Sequence, residues 1–178
     1  MKFLVGDKNK LALESTVNKD DSCFGRLFLY VNGIRFGQDS FDFEVDAMIE
    51  STLSNFKVYG VNLIGLASCP PNELFDSYHK VSSFDEDNED VSSLGEIEAV
   101  KYFPGFIEKI VDVDNCVFRY VDYAFDRCFI LLIPAEDELK LYIKDDDRDV
   151  YASVMTTAEE FLGLWKDMAV KRGMNPDS

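Results

Sequence analysis

The chain has 178 residues and a net charge of −16, from 34 acidic and 18 basic side chains. Its hydrophobic fraction of 47% excludes a chain that is disordered throughout, and its longest apolar runs, such as Cys128–Pro134, are far shorter than the roughly 20 residues of a membrane-spanning helix. Because the acidic charge is spread over both halves of the chain, we expect the protein to repel nucleic acid and anionic membranes and to attract basic partners.

The first elements along the chain predict an antiparallel sheet. Leu11–Glu14 and the aromatic and β-branched segment Phe24–Asn32 are typical of strands. Asn32-Gly33 is the strongest short signal for a hairpin turn, because both residue types tolerate a positive φ. Ile34–Phe36 then alternates apolar and polar residues, as expected of the returning strand.

Two helices are predicted next. Apolar residues recur at helical spacing in Phe43–Phe56, and Asp42 is a candidate N-cap for that helix. Asn72–Val81 follows two consecutive prolines, which favour the start of a second helix. The apolar segment between them, Val58–Ala67, contains two glycines and is compatible with either a strand or a loop.

Ser82–Ser93 is the one segment whose composition departs from the rest of the chain. It has acidic side chains and no basic one, so it is predicted to be an exposed, mobile loop. A short helix is predicted after it, over Leu94–Phe103, ended by the Pro-Gly pair that follows. The acidic side chains of the loop are Asp85, Glu86, Asp87, Glu89 and Asp90.

The second half of the chain is predicted to be rich in strands, over Cys116–Phe125, Arg127–Pro134 and Leu139–Lys144. The last of these alternates so regularly that we expect one of its faces to be wet. Asp145–Asp149 predicts a turn. Its three adjacent carboxylates repel one another and do not converge on a calcium ion without neighbours.

A final helix is predicted to begin at a capping-box pair, Thr156 and Glu159, and to end at Gly173. Lys171 and Arg172 lie in its last turn, where they complement the helix dipole. Together the elements predict an α+β fold: a single domain over residues 1–178, with an antiparallel sheet, helices packed on it and an acidic loop at 82–93.

Patterns that indicate catalysis are sparse. The one histidine, His79, is near Ser77 and Asp76 on a predicted helix, but this spacing alone does not make a catalytic triad, and a pair with Cys69 has no other support. The four cysteines are far apart and form no Cys-x-x-Cys pair, which argues against a zinc site and predicts unpaired, mostly buried thiols.

The acidic loop also fails as a calcium site. Counted from Asp85, it places carboxylates at several ligand positions of an EF-hand. The sixth position, which needs glycine for a sharp turn, holds Asp90, and the normally apolar eighth position holds Ser92. We therefore expect no bound metal, no cofactor and no enzymatic activity.

The first 40 residues resemble a known family. Residues 5–14 read Val-Gly-Asp-Lys-Asn-Lys-Leu-Ala-Leu-Glu. They are similar to the opening motif of the immunity protein 42 family of bacterial polymorphic toxin systems, Gly-Asp, three residues, then Phe-Ala-Ile-Glu, with Leu11 and Leu13 as conservative replacements. Residues 25–37 are similar to the same family's strand ending in Ile-Asn-Gly, followed by a short return strand and glycine.

The resemblance implies a cytoplasmic protein of a contact-dependent growth inhibition system, which binds and neutralises a toxin domain delivered by a neighbouring bacterium. Such toxins are often nucleases, which are basic because they hold phosphates, so an acidic inhibitor suits them. The start of the chain, Met1–Asp7, has no signal-peptide core, which also favours the cytoplasm.

Two alternatives remain open at this point: an acidic regulatory or scaffold domain without a toxin partner, and a small hydrolase that uses His79. For the immunity function, the predicted partner is the basic C-terminal domain of the toxin, and the predicted binding residues are the acidic side chains of the loop and of the last turn. They are Asp85, Glu86, Asp87, Glu89, Asp90, Asp145, Asp146, Asp147 and Asp149.

Overall fold

The computed structural model describes residues 1–58, 63–84, 95–118 and 124–176. Within these ranges the chain has the predicted α+β fold, with antiparallel sheets and packed helices. The strands are β1 Lys2–Asp7, β2 Leu11–Thr16, β3 Phe24–Gly25, β4 Leu27–Val31, β5 Ile34–Phe36, β6 Phe43–Glu44, β7 Cys128–Ala135, β8 Glu138–Asp145 and β9 Val150–Thr156. The α-helices are α1 Val45–Asn55, α2 Pro71–Ser82, α3 Ile110–Asp114 and α4 Ala158–Arg172, and two 3-10 helices span Ile64–Ser68 and Glu98–Lys101.

The N-terminal part forms a four-stranded antiparallel sheet in the order β1-β2-β4-β5. Val5, Leu13, Leu29 and Phe36 are neighbours across its four strands and are all buried. Since directly paired residues share a face of an antiparallel sheet, this row marks the face that turns towards the core.

The turn between β4 and β5 confirms the predicted hairpin. Asn32 and Gly33 have φ values of 49° and 83°, the left-handed region that these two residue types tolerate best. The side-chain amide nitrogen of Asn32 donates to the backbone oxygen of Ser153 at 2.7 Å. The hairpin therefore also ties the four-stranded sheet to strand β9.

Strands β7, β8 and β9 form a three-stranded antiparallel sheet that contributes buried residues to a core on each of its faces. Ile130, Ile143 and Ala152 lie in one row across it and contribute to a core shared with the four-stranded sheet, α1 and α4. On the opposite face, Leu131 and Tyr142 contribute to a second core with α2, α3 and both 3-10 helices. The three-stranded sheet is thus the central layer of the fold.

The expectation of a wet face for Leu139–Lys144 was wrong at the centre of that face, whereas the two lysines on either side of the centre are half-buried. Tyr142, at the centre of that face, is fully buried, and its hydroxyl donates to the backbone oxygens of Leu66 at 2.6 Å and Cys69 at 2.9 Å. The regular alternation of β8 favours an exposed polar face, but α2 and the first 3-10 helix cover the centre of that face.

The last helix starts one residue later than predicted. Thr157, rather than Thr156, is the N-cap, and its hydroxyl accepts a hydrogen bond from the backbone nitrogen of Glu160 at 3.0 Å. The Glu160 carboxylate, rather than that of Glu159, accepts from the Thr157 backbone nitrogen and completes the capping box. Gly173 ends the helix in the left-handed conformation, as predicted.

Three further predicted elements differ from those in the structure. The strand at Phe24–Asn32 is divided into β3, which pairs with β6, and β4, which pairs with β2 and β5. Between them, the backbone nitrogen of Arg26 donates to the Thr16 hydroxyl at 3.1 Å. The described start of the predicted strand Cys116–Phe125 continues the turn after α3 and makes one isolated bridge. The helix predicted at Leu94–Phe103 is a single 3-10 turn within the described residues.

The first two helices are present where predicted, but Asp42 does not cap α1. The N-cap position is Glu44, and it makes no side-chain cap bond. Asp42 instead accepts hydrogen bonds from Asn18 at 2.6 Å and from Arg26 at 3.1 Å. None of the helices in the described part of the chain is long and apolar enough to cross a membrane.

Candidate functional site

The acidic segment Asp145–Asp149 connects β8 to β9. Asp145 is buried, and its carboxylate accepts hydrogen bonds from the backbone nitrogen of Arg148 at 3.0 Å and from the Arg148 Nε at 2.7 Å. Asp149 takes a left-handed φ of 50°, and its carboxylate accepts from the Tyr151 hydroxyl at 2.9 Å. Asp145 thus stabilises the turn through its hydrogen bonds to Arg148, whereas the side chains of the other three aspartates of the segment are exposed to solvent.

Each of the next two aspartates has a basic neighbour. Asp146 pairs with Lys144 at 3.0 Å, and Asp147 pairs with Arg127. Counting Arg148, three bases lie among the four aspartates of this segment. Because opposite charges at contact distance largely cancel at longer range, the negative field of the segment is weaker than its sequence suggests.

A basin of about 400 Å³ lies between this turn and the end of β5. Arg148 forms one side of it by donating to the backbone oxygen of Arg35 at 2.6 Å. Cys128 lines the basin, but burial raises the pKa of its thiol to about 12, so the thiol keeps its proton at neutral pH. With arginines and aspartates alternating around it, the basin suits a polar protein surface better than nucleophilic chemistry.

A second cavity, of about 250 Å³, lies between α2 and the three-stranded sheet. We call it the α2 groove. Its aromatic rings contact one another: the centroids of Tyr78 and Phe129 are 5.0 Å apart, and those of Phe75 and Phe129 are 5.8 Å apart in an edge-to-face arrangement. The lining residues are Phe75, Tyr78, His79, Phe129, Lys144 and Asp146.

His79 is exposed in the last turn of α2, at the edge of this groove. The nucleophiles that the sequence placed near it are not available. The Ser77 hydroxyl is buried and accepts a hydrogen bond from the backbone nitrogen of Ala99 at 3.0 Å. Burial raises the pKa of the Cys69 thiol to about 12, so that thiol is not an activated nucleophile. Neither of these two residues therefore supplies the activated nucleophile that the hydrolase interpretation needs.

All four cysteines are free thiols, two of them buried, which agrees with the prediction of unpaired cysteines. Among residues 1–58, 63–84, 95–118 and 124–176, no three His, Cys, Asp or Glu side chains are grouped so that they could hold a metal ion. The acidic loop residues lie outside the described residues: Asp85, Glu86, Asp87, Glu89 and Asp90. Helix α2 ends at Ser82, where the predicted loop begins.

Sequence reasoning missed a buried carboxylate on the outer face of the four-stranded sheet. Glu14 is 2% exposed and pairs with Lys2 at 2.8 Å and with Lys8. Burial raises the pKa of Glu14, but the hydrogen bonds from both lysines outweigh it, so the net shift is downward. A glutamate at the end of an alternating strand carries no sign of burial, because its lysine partners come from another strand and a turn.

A buried arginine was also missed. The Arg172 side chain is 1% exposed, and its guanidinium pairs with Asp46 on α1. It also donates to the backbone oxygens of Ser22 at 2.8 Å and Cys23 at 3.1 Å. The helix-dipole interpretation of Arg172 explained its position in the last turn but not its role in joining α4 to the N-terminal third of the chain.

The sequence model of the immunity protein 42 family matches residues 1–169. The chain belongs to this family. The likeness of the first 40 residues therefore extends over nearly the whole chain, and the family predicted from the two N-terminal motifs is confirmed. No curated protein matches the chain in sequence.

A solved structure has a similar fold. The crystal structure of CdiI from Burkholderia dolosa AUO158 superposes with a TM-score of 0.54, over 95% of this chain and 99% of that one. The sequence identity is 14%, so this likeness is evidence for the fold alone. Family membership supports a toxin-neutralising immunity function for the chain.

Proposed function

We propose that this protein is the cytoplasmic immunity partner of a toxin domain delivered by neighbouring bacteria, and that it neutralises the toxin by binding rather than by catalysis. The observation that carries the proposal is the family match over residues 1–169. Two features of the described residues fit an inhibitor: the Ser77 hydroxyl near His79 is buried in a hydrogen bond, and burial raises the pKa of the Cys69 thiol.

The net charge of −16 supports a basic protein as the partner. A nuclease is the toxin class that best fits, because an enzyme that holds phosphates needs a positive surface. Complementary fields raise the association rate more than they change the dissociation rate. This matters for an immunity protein, which must capture an incoming toxin before it reaches its target.

The proposed toxin contacts lie in two acidic segments, which differ in how many basic side chains accompany their acidic ones. Ser82–Ser93 contains five acids and no base, so it carries the denser negative charge along the chain. In Asp145–Asp149, the side chains of Asp146 and Asp147 are 60% and 51% exposed, but each has a basic neighbour. We therefore rank the first segment above the second for steering the toxin.

Immunity itself is tested by co-expressing the chain with the C-terminal domain encoded by the upstream reading frame. We expect the chain to restore growth to cells that express the toxin domain and to co-purify with it at equal stoichiometry. An added assay of plasmid and RNA cleavage tests the nuclease assignment. A toxin domain that is inhibited by the chain but cleaves neither substrate would retain the immunity function and contradict the nuclease.

The acidic contact is tested by surface plasmon resonance at two ionic strengths. We expect the association rate to fall steeply with salt, and to fall several-fold on neutralisation of the first segment, because steering depends on net field. The second segment should matter less. The two variants are Asp85→Asn with Asp87→Asn and Asp90→Asn, and Asp146→Asn with Asp147→Asn and Asp149→Asn.

A matched control removes three exposed acids elsewhere: Glu50→Gln with Glu159→Gln and Asp167→Asn. Glu160 is left unchanged because its carboxylate completes the capping box of α4. An equal loss of association rate in the control would show that only net charge matters. Tight binding that is insensitive to salt would contradict the acidic contact, and no binding at all would contradict the immunity function.

A further inference from the structure

The α2 groove has an aromatic floor and an acidic rim. Phe129, Lys144 and Tyr151 are side-by-side neighbours across β7, β8 and β9. Helix α2 lies over this row, with the ring centroid of Phe75 6.1 Å from that of Tyr151. The cavity between helix and sheet is lined by three aromatic rings and by three polar side chains, one of which is the exposed carboxylate of Asp146.

Lys144 shows that this groove can hold a positively charged group. Its ammonium lies 5.6 Å from the centroid of the Tyr151 ring and 3.0 Å from the Asp146 carboxylate. Burial lowers the pKa of Lys144, but the hydrogen bond to Asp146 and the charges of Asp146 and Asp76 outweigh it, so the net shift is upward. A cation is therefore stabilised here by rings and carboxylates together.

Acids outnumber bases around the groove. Asp76 on α2 acts electrostatically on both Lys144 and Tyr151, and Asp149 accepts a hydrogen bond from the Tyr151 hydroxyl. Among the described residues, the carboxylates of Asp146 and Asp76 therefore act on the Lys144 ammonium, and that of Asp149 lies beside its neighbour Tyr151. Lys80, the other base in the last turn of α2, donates to the backbone oxygen of Glu96 at 3.0 Å.

We propose that the α2 groove receives a basic side chain of the toxin domain, an arginine above all, as an anchor of the complex. The inference rests on the proposed immunity function and adds where and how the toxin is held. An arginine fits best because its planar guanidinium stacks on aromatic rings while it bonds carboxylates in a fork. A buried anchor of this kind slows dissociation, whereas the acidic segments act on association.

The first test adds one positive charge inside the groove and one outside it. His79→Lys places an ammonium at the groove edge, and Val170→Lys places one in the last turn of α4, on the other side of the three-stranded sheet. Both positions are exposed and both lie in the last turn of a helix, which tolerates lysine. Toxin binding is measured by surface plasmon resonance with the C-terminal domain of the upstream gene product.

The two variants change net charge equally, so we expect the same small loss of association rate in both. Dissociation should become about tenfold faster or more in the His79→Lys variant alone, because a like charge would face the anchor. Equal dissociation rates in the two variants would overturn the groove anchor while leaving the immunity function intact. No binding by the unmodified chain would overturn both.

The second test removes the internal cation. Lys144→Met leaves Asp146 without its ammonium partner and frees the ring of Tyr151 for the anchor. We expect dissociation of the toxin to become several-fold slower than with the control Lys19→Met, which makes the same charge change at an exposed site. Faster dissociation in the Lys144→Met variant would make Lys144 itself the contact and overturn the proposal.

Discussion

The two larger sheets each have a face turned away from their shared core, and they cover it by different means. In the four-stranded sheet, Lys2 and Lys8 lie over Glu14, and the Lys8 ammonium is 4.0 Å from the centroid of the Tyr30 ring. In the three-stranded sheet, a helix covers the face and Tyr142 is fully buried. Long basic side chains shield a face while keeping their charges in water, whereas the elements packed on the three-stranded sheet remove water from the centre of its face around Tyr142.

From this difference, we expect the largest loss of unfolding free energy on substitution of Tyr142. Tyr142→Ala should lower the free energy of unfolding by about 3–5 kcal/mol, because it opens a cavity in the second core. Tyr30→Ala, on the half-buried face, should lower it by about 1 kcal/mol. Chemical denaturation followed by circular dichroism measures both, and similar losses in the two variants would contradict a difference between the two faces.

Removal of the hydroxyl alone sharpens the same comparison. Tyr142→Phe should cost about 1–3 kcal/mol of unfolding free energy, because the buried backbone oxygens of Leu66 and Cys69 lose a donor. Tyr30→Phe should change the free energy by about 0.5 kcal/mol or less, since its bond to Glu14 is long, at 3.3 Å, and partly exposed. If Tyr142→Phe melts like the unmodified protein, water or relaxation replaces the lost bonds.

Substitutions in the hairpin turns of the two sheets should change the stability of the protein in opposite directions. Gly33→Val should destabilise the protein by about 1–2 kcal/mol, because a Cβ there has open space but the φ of 83° is strained for a branched residue. Glu136→Gly, in the β7–β8 turn with a φ of 57°, should stabilise it by about 0.5–1 kcal/mol. Melting temperatures that shift in the same direction would contradict this account of the turns.

At neutral pH, we expect the smallest change in the free energy of unfolding on substitution of Glu14. Its lysine partners keep 60% and 35% of their side chains in water, so the pairs are worth roughly 0–1 kcal/mol. The pKa of Glu14 is lowered in the fold, so its contribution is complete above the ordinary value of 4.5 and is lost as the pH falls through the lower folded value. A Glu14→Gln variant should therefore differ from the unmodified protein at pH 7 and converge with it in acid.

Features that depend on short stretches of chain were predicted well. The Asn32-Gly33 turn, the proline start of α2 and the glycine stop of α4 are present, because each follows from the φ that one residue type permits. The capping box was displaced by one residue, since Thr156 and Thr157 are adjacent and either satisfies the pattern. Which threonine caps the helix depends on the residue at which β9 ends, and β9 ends at Thr156.

The candidate site was less predictable, because its chemistry comes from residues far apart in the chain. Arg127 meets Asp147 across 20 residues, and Arg148 reaches the backbone of Arg35 across 113. These contacts convert a run of aspartates into a segment of mixed charge. The α2 groove likewise joins a helix to three strands, and only the register of those strands brings Lys144 beside Tyr151.

By itself, the sequence determined the family, the α+β class, the main hairpin and the positions of most helices and strands, since these depend on local backbone preference and on the period of apolar residues. The tertiary structure decided which faces are covered and which charges are paired. Alternation places Tyr142 and Glu14 on particular sides of their strands. Whether those sides meet helices or lysines depends on packing over long chain separations, and the burial of both residues follows from that packing.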